Sequence, residues 1–296
     1  MRVTSSMMAR TNLRNMSQGL ARLQETQGQI TSGKDFTKPS EDPGRATSAM
    51  STRKDLRRID QRMRSIEDAQ GWVGAADTQL TSALDRMLRA KEIAVNAGNG
   101  IAALTPGARS SLAKELRAVR SDLLNVANAT YAGRSLFAGT AAGVAYDGTG
   151  AFMGNDEAVI RDVAPSNAMT INVTGSHVFG KSGVGAGTLF EVLERMAVAV
   201  EAGDRVNAAT EQGNLDVAFE RLRVSSAEIG TKWATLEQLS VRTQDDKVAL
   251  KEQLSQMEDV DMVESLIKVK SQESSYQAAL QTTAKVLPMS LLDFLR

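Results

Sequence analysis

Two stretches at opposite ends of the chain repeat one spacing, and that repeat limits the fold more than any other feature. Near the start, Leu13, Met16, Leu20, Leu23, Gln27 and Ile30 fall on alternating three- and four-residue steps. Near the end, Met262, Leu266, Val269, Tyr276, Leu280 and Leu287 do the same, with Glu273 and Thr283 as polar interruptions. This alternation is the apolar seam of a coiled-coil helix, and a seam needs a partner. The chain also crowds Leu291, Leu292, Phe294 and Leu295 into its final residues, where frayed polar ends are usual. The two terminal segments are therefore expected to pair with each other and with copies of themselves.

Between these seams the pattern is nested. Ser32-Gly33 stops the first helix, and Gly33, Pro39, Ser40, Asp42 and Pro43 mark an ordered turn before the next. Ser40 or Asp42 is expected to cap that helix, with Pro43 in its first turn. Leu56, Ile59, Met63, Ile66, Val73, Leu80, Leu84 and Met87 then hold one heptad frame, with Gln70 and Asp77 as exceptions. A helix from about 46 to 97 would run roughly 75 Å, a rod rather than a compact-domain element. Gly71 and Gly74 are expected to weaken it by about 1 kcal/mol each. Thr105-Pro-Gly opens another helix, with Leu112, Leu116, Val119, Leu123 and Val126 in three-four alternation, able to pack back along its predecessor.

From Gly133 to Gly187 helical periodicity fails. Eleven glycines separate short apolar clusters at Val159-Ile160, Met169 to Val173 and His177 to Phe179, which predict brief strands in a small β-rich insertion. Heptads return after Thr188, which is placed to cap a helix through about Val200. They continue from Phe219 through Leu222, Ile229, Trp233, Leu236, Thr243, Leu250 and Leu254 to Met257. Register slips at Glu258 to Asp261, which predicts a boundary before the C-terminal seam. The expected fold class is mainly α: a nested long-helix coiled-coil rod formed by both termini, with a small β-rich inserted domain. Its expected divisions are 1–42 with 258–296 as a terminal coiled-coil domain, 43–134 with 188–257 as a helical rod domain, and 135–187 as the β-rich outer insertion.

Composition narrows the function. Only 4% of the residues are aromatic, while 13 are Met, as suits helices that bury narrow aliphatic stripes. Basic and acidic residues balance at 35 each, so neither nucleic-acid phosphates nor a charged membrane surface is an expected partner. There is no cysteine, no run of seven apolar residues near the start and no segment apolar enough to span a bilayer. On these grounds alone the chain reads as cytoplasmic, unless an export route without a cleavable signal operates.

The chemistry-bearing motifs weigh against an enzyme. Gly175-Ser-His-Val-Phe-Gly-Lys-Ser182 matches the phosphate-cradling loop G-x-x-x-x-G-K-[ST] literally. That loop needs a helix opening at its Lys and Ser, whereas Gly183, Gly185 and Gly187 follow at once, so a glycine-rich surface turn is the better reading and a nucleotide-binding protein only a remote alternative. His177 is the single histidine and cannot form a cluster; it is expected on a strand, partly exposed. Ser51 with Lys54 and Ser111 with Lys114 have the S-x-x-K spacing of some acyl-transfer enzymes, but both pairs lie inside heptad rods without a pocket. Glu258, Asp259, Asp261 and Glu264 are read as a solvated helix face rather than a metal site. No catalytic residue, cofactor or metal is expected.

Gln29-Ile-Thr-Ser-Gly-Lys34, Lys38-Pro-Ser-Glu-Asp-Pro43, Tyr131-Ala-Gly-Arg-Ser-Leu-Phe-Ala-Gly139, Tyr276-Gln-Ala-Ala-Leu280 and Ser290-Leu-Leu-Asp-Phe-Leu295 resemble the flagellin family. The Pro-Ser-Glu-Asp-Pro turn is similar to that of the family's junction members and unlike that of filament flagellin, which stays as the runner-up. The resemblance implies an axial structural protein of the bacterial flagellum at the hook–filament junction, exported unfolded by the flagellar type III apparatus. It implies as partners copies of the chain itself in a ring, hook-associated protein 1, flagellin and an export chaperone. It also implies that the terminal seam residues and the apolar tail form the assembly interface in an inner tube, with the β insertion facing outward.

Overall fold

The computed structural model describes residues 5–100, 104–164 and 167–294, with the stretch 285–294 at the level of backbone only. Seven helices and four short strands follow one another among these residues: α1 (Ser5–Ser32), α2 (Pro43–Gly100), α3 (Pro106–Ala127), β1 (Thr130–Tyr131), β2 (Arg134–Ser135), β3 (Ile160–Ala164), β4 (Asn167–Thr170), α4 (Gly175–Val178), α5 (Leu189–Ala202), α6 (Arg205–Glu258) and α7 (Met262–Phe294). The chain forms two compact units, residues 1–58 with 246–296, and residues 59–245.

In the first unit α1 and α7 pack antiparallel. Val260 N–H donates to the Gly33 carbonyl at 3.1 Å, while further along Gly19 faces the Tyr276 ring. Both chain strands break at this level, for local reasons. Gly33 adopts φ +69°, the left-handed conformation that ends a helix without a Cβ penalty. On the other side α6 stops at Glu258, and the Asp261 carboxylate caps α7 by accepting from the amides of Val263 and Glu264 at 2.9 and 3.0 Å.

The second unit holds the larger core. Leu80, Met87, Leu116, Leu123, Leu193 and Met196 are fully buried. Across the surfaces of the packed helices, Arg89 of α2 bonds Glu115 of α3 at 2.5 Å, and Arg117 of α3 bonds Glu194 and Glu201 of α5 at 3.0 and 2.9 Å. The helix caps follow the sequence: Thr105 accepts from Ala108 N–H, Thr188 forms a reciprocal capping box with Glu191, and Gly203 closes α5 at φ +75°. Five of the twelve rings cluster where the insertion meets α5. Tyr146 meets Phe152, Phe179 and Phe190 at centroid separations of 5.3, 5.8 and 4.9 Å, and Phe137 meets Phe179 at 5.4 Å. Burial pushes the Tyr146 phenol well above its ordinary range, and its hydroxyl lies 2.7 Å from the carbonyls of both Gly175 and Gly180.

Three local expectations change, and one element lies outside them. Gly71 and Gly74 are not merely weak points in α2: a Cβ at Gly71 would lie 2.0 Å from the Tyr131 hydroxyl, and one at Gly74 would lie 3.0 Å from the Trp233 ring. His177 to Phe179 is not a strand, since Gly175–Val178 forms a single helical turn with His177 exposed on it. The stretch from Gly175 to Gly180 is not a surface turn either. Gly175, Val178, Phe179 and Gly180 are buried, because the Tyr146 hydroxyl and the Phe137 carbonyl hold its backbone. Finally, the hairpin β1–β2, closed by Ala132 at φ +48° and Gly133 at φ +78°, has too few residues to show an apolar alternation.

Candidate assembly surface

The turn between α1 and α2 shows why its residues suit the place. Glu41 folds back so that its carboxylate accepts from the amides of Thr37 at 2.8 Å and Lys38 at 3.2 Å, and these bonds hold it below the usual carboxylate range. Asp42, not Ser40, caps α2, accepting from Arg45 N–H at 2.9 Å, and Pro43 begins the helix. Pro39 and Ser40 are exposed at the turn's tip.

Below this turn lies a joint that sequence spacing does not reveal. Glu258 is buried, and its Oε2 accepts from Lys34 Nζ at 3.0 Å and Arg53 Nη2 at 2.6 Å. Burial raises the Glu258 carboxyl, but bonds from Lys34 and Arg53 and their charges outweigh it and leave the group below its ordinary value. Arg45 donates Nε and Nη2 to the Met257 carbonyl at 3.1 and 2.6 Å, placing a cation at the C-terminus of α6, and pairs with Asp35 at 2.5 Å. Asp35 N–H donates to the Glu258 carbonyl at 2.7 Å. Of the acidic run Glu258 alone leaves the solvent, taken up by the joint, while Asp259, Asp261 and Glu264 stay exposed and Asp261 caps α7. Among the described residues no group of His, Cys, Asp and Glu is placed to hold a metal ion.

The terminal pair itself is rotated one step from the seams that the apolar spacing marks. The less exposed positions of α1 are Asn12, Met16, Gly19, Leu23, Thr26 and Ile30, and those of α7 are Ser265, Val269, Gln272, Tyr276, Ala279 and Thr283, apart from Glu273 and Gln29 at their edges. Large side chains therefore meet small or polar ones, as Tyr276 meets Gly19. Met16, Leu23, Ile30, Val269 and Tyr276 belong to both patterns and turn inward. Leu13, Leu20, Met262, Leu266 and Leu280 do not, and Leu13 is 62% exposed, Leu266 56% and Leu280 42%.

In an antiparallel pair the residues just outside the seam meet their equivalents on the same side, so Leu13 and Leu20 share one flank with Leu266 and Leu280. The opposite flank is polar, a groove of about 380 Å³ lined by Asn15, Arg22, Ser271 and Ser275. The side chains of Leu287, Leu291, Leu292 and Phe294, and the whole of Leu295, lie outside the described residues. Of the other motifs, Ser51, Lys54, Ser111 and Lys114 are exposed on helices, and Lys181 and Ser182 are exposed outside any helix, with Ser182 donating to Glu191 at 2.6 Å. No helix opens at Lys181 and Ser182, since the next begins only at Leu189, so they direct no helix N-terminus at a phosphate.

Residues 3–142 match the bacterial flagellin N-terminal helical region, and residues 213–295 match the bacterial flagellin C-terminal helical region. The chain belongs to the flagellin family. Like the rest of that family it is a flagellar structural protein and not an enzyme. It is similar at full length to flagellar hook-associated protein 3 of Salmonella typhimurium, 27% identical over 319 residues that cover 100% of both chains. The same-named protein of Escherichia coli is 27% identical over 99% of both. A solved flagellar hook-associated protein from Vibrio parahaemolyticus has the same fold at TM-score 0.68 and 19% identity, covering 74% of this chain and 100% of its own. A flagellar junction protein from Legionella pneumophila does so at TM-score 0.56 and 14% identity, covering 71% of this chain and 100% of its own.

Proposed function

We propose that this flagellin-family chain acts as a mechanical adaptor, whose paired termini add to a tube made by many copies. It is a hook–filament junction protein of the bacterial flagellum, working outside the cell. The observation that carries the mechanism is the uncovered flank of the terminal pair, with Leu13, Leu20, Leu266 and Leu280 left to solvent after α1 and α7 have met. A two-helix ribbon with one apolar and one polar flank gains by burying the apolar flank against further ribbons. The assembly interface comprises that flank with Met262, the inward residues Met16, Leu23, Ile30, Val269 and Tyr276 that shape it, and the apolar tail Leu287, Leu291, Leu292, Phe294 and Leu295.

In this reading residues 1–42 and 258–296 form the inner tube, 43–134 and 188–257 the rod around it, and 135–187 the outward insertion. The turn at Gly33, Pro39, Ser40, Asp42 and Pro43 sets the crossing from tube to rod. The neighbours are other copies in a ring, hook-associated protein 1 on the hook side and flagellin on the filament side, with an export chaperone before assembly. No nucleotide, metal or membrane enters.

Two substitutions separate assembly from folding. Leu280→Asp should leave the α1–α7 pair intact while cutting filament attachment by tenfold or more, whereas Leu23→Asp should open the pair itself. Motility and electron microscopy report attachment, and helicity of the purified chain reports folding. Normal filaments on cells carrying Leu280→Asp would refute the proposal.

A further inference from the structure

A groove of about 320 Å³ opens beside the joint, within the first unit. Its floor is made by the buried Ala46 and Ala49, and its walls by Met50, Phe36 and Pro39. Phe36 is braced from one side by the Arg45 guanidinium, 5.3 Å from the ring centroid, and Met50 is 62% exposed. Lys34 and Arg53 stand at the rim and share the single carboxylate of Glu258, so the rim keeps a net positive charge.

A few residues beyond Glu258, α7 opens with Met262, Val263, Leu266 and Ile267, an apolar ridge on which Val263 is 70% and Ile267 65% exposed. The exposed Asp259 and Asp261 lie just before it and the exposed Glu264 lies on it. Lys268 pairs with Glu264 at 2.8 Å and also acts on Asp261, one cation against three carboxylates, so the ridge stays acidic.

We propose that in the assembled protein the first turn of α7 of one copy seats in the Phe36–Met50 groove of the next copy. An apolar ridge with acidic edges fits an apolar-floored groove with a basic rim. Both features lie at one end of one unit, tied together by the backbone bonds at Gly33 and Glu258, so neighbours related mainly by rotation present ridge to groove. A contact between two unlike patches is head-to-tail, and it closes into a ring when the rotation per copy fits. The inference rests on the reading that copies gather around a common axis, and adds which surfaces touch.

Because the chain holds no cysteine, introduced thiols report the contact directly. Flagella are isolated from cells whose only copy carries Met50→Cys, Val263→Cys or both, and are treated with a short bismaleimide. The double variant should give a ladder of cross-linked copies, while each single variant should stay monomeric. A dimer from either single variant would mean that like meets like, and no ladder in flagella that contain the double variant would mean that ridge and groove are apart; either result overturns the seating and leaves the junction reading standing. Absence of the unsubstituted chain from isolated flagella would overturn the junction reading instead. If the double variant does not enter flagella, Met50→Cys with Ile267→Cys gives the same decision.

Discussion

At the scale of single residues, Glu258 concentrates the chemistry of the joint. It is a buried carboxylate that two half-exposed cations, Lys34 and Arg53, reach across the fold, so removing its charge leaves both without their anion. Glu258→Gln should lower the stability of the terminal unit by about 1 to 3 kcal/mol, the usual range for hydrogen bonds to charged groups. The folded carboxyl sits below its ordinary value, so its contribution is complete above that value and is lost as pH falls through the folded one. The stability difference between wild type and variant should therefore shrink below about pH 4. Thermal unfolding monitored at neutral and acid pH reads this, and a difference that stays constant across the range would contradict the assignment.

At the scale of elements, glycine means different things along the same kind of helix. Gly71 in α2 faces the Tyr131 hydroxyl, which a Cβ would approach to 2.0 Å, whereas Gly213 in α6 has nothing within 4 Å. Gly71→Ala should thus destabilise despite its helix-propensity gain, and Tyr131→Ala in the same chain should recover part of the loss. Gly213→Ala should stabilise by about 0.5 to 1 kcal/mol. Opposite shifts in the thermal midpoint of the two single variants are the expected outcome, and a stabilised Gly71→Ala would show that the close approach at Tyr131 is not a constraint. The same logic applies to the terminal pair, where Gly19 leaves room for Tyr276, which explains why apolar size alone is a poor guide to the facing surface.

At the scale of the whole molecule, the two units differ in how much they bury. Residues 59–245 close over a large core of fully buried Ala, Leu, Val and Ile with a few rings, while the α1–α7 pair rests on half-buried layers in which more than half the partners are Gly, Ala, Ser, Thr, Asn or Gln. Ordering each residue costs about 1 kcal/mol or more, which such thin layers offset poorly until the outer flank is covered. In the dilute monomer, amides of 5–32 and 262–284 are expected to exchange much faster than those of α3 and α5, and to become protected in isolated flagella. Hydrogen exchange followed by mass spectrometry measures both states. Equal, strong protection of the termini in the monomer would contradict assembly-coupled ordering.

The periodicities alone carried the mainly helical class, the break at Gly33, the second break after Glu258, the cap at Thr188 and the presence of a glycine-rich insertion between heptad segments, because each depends on neighbours a few residues away. Short motifs in the terminal segments and the Pro-Ser-Glu-Asp-Pro turn carried the family in the same way. What faces what was decided only by the tertiary structure. The apolar stripe marked Leu13, Leu20, Leu266 and Leu280 as seam, and the fold turns them outward, since a helix pair chooses its facing side by fit between large and small residues as well as by hydrophobicity. Likewise Glu258 looked solvated with the exposed Asp259 and Asp261 that follow it, because its partners Lys34 and Arg53 lie more than two hundred positions away, and only folding brings a carboxylate and two cations from such distances into one buried contact.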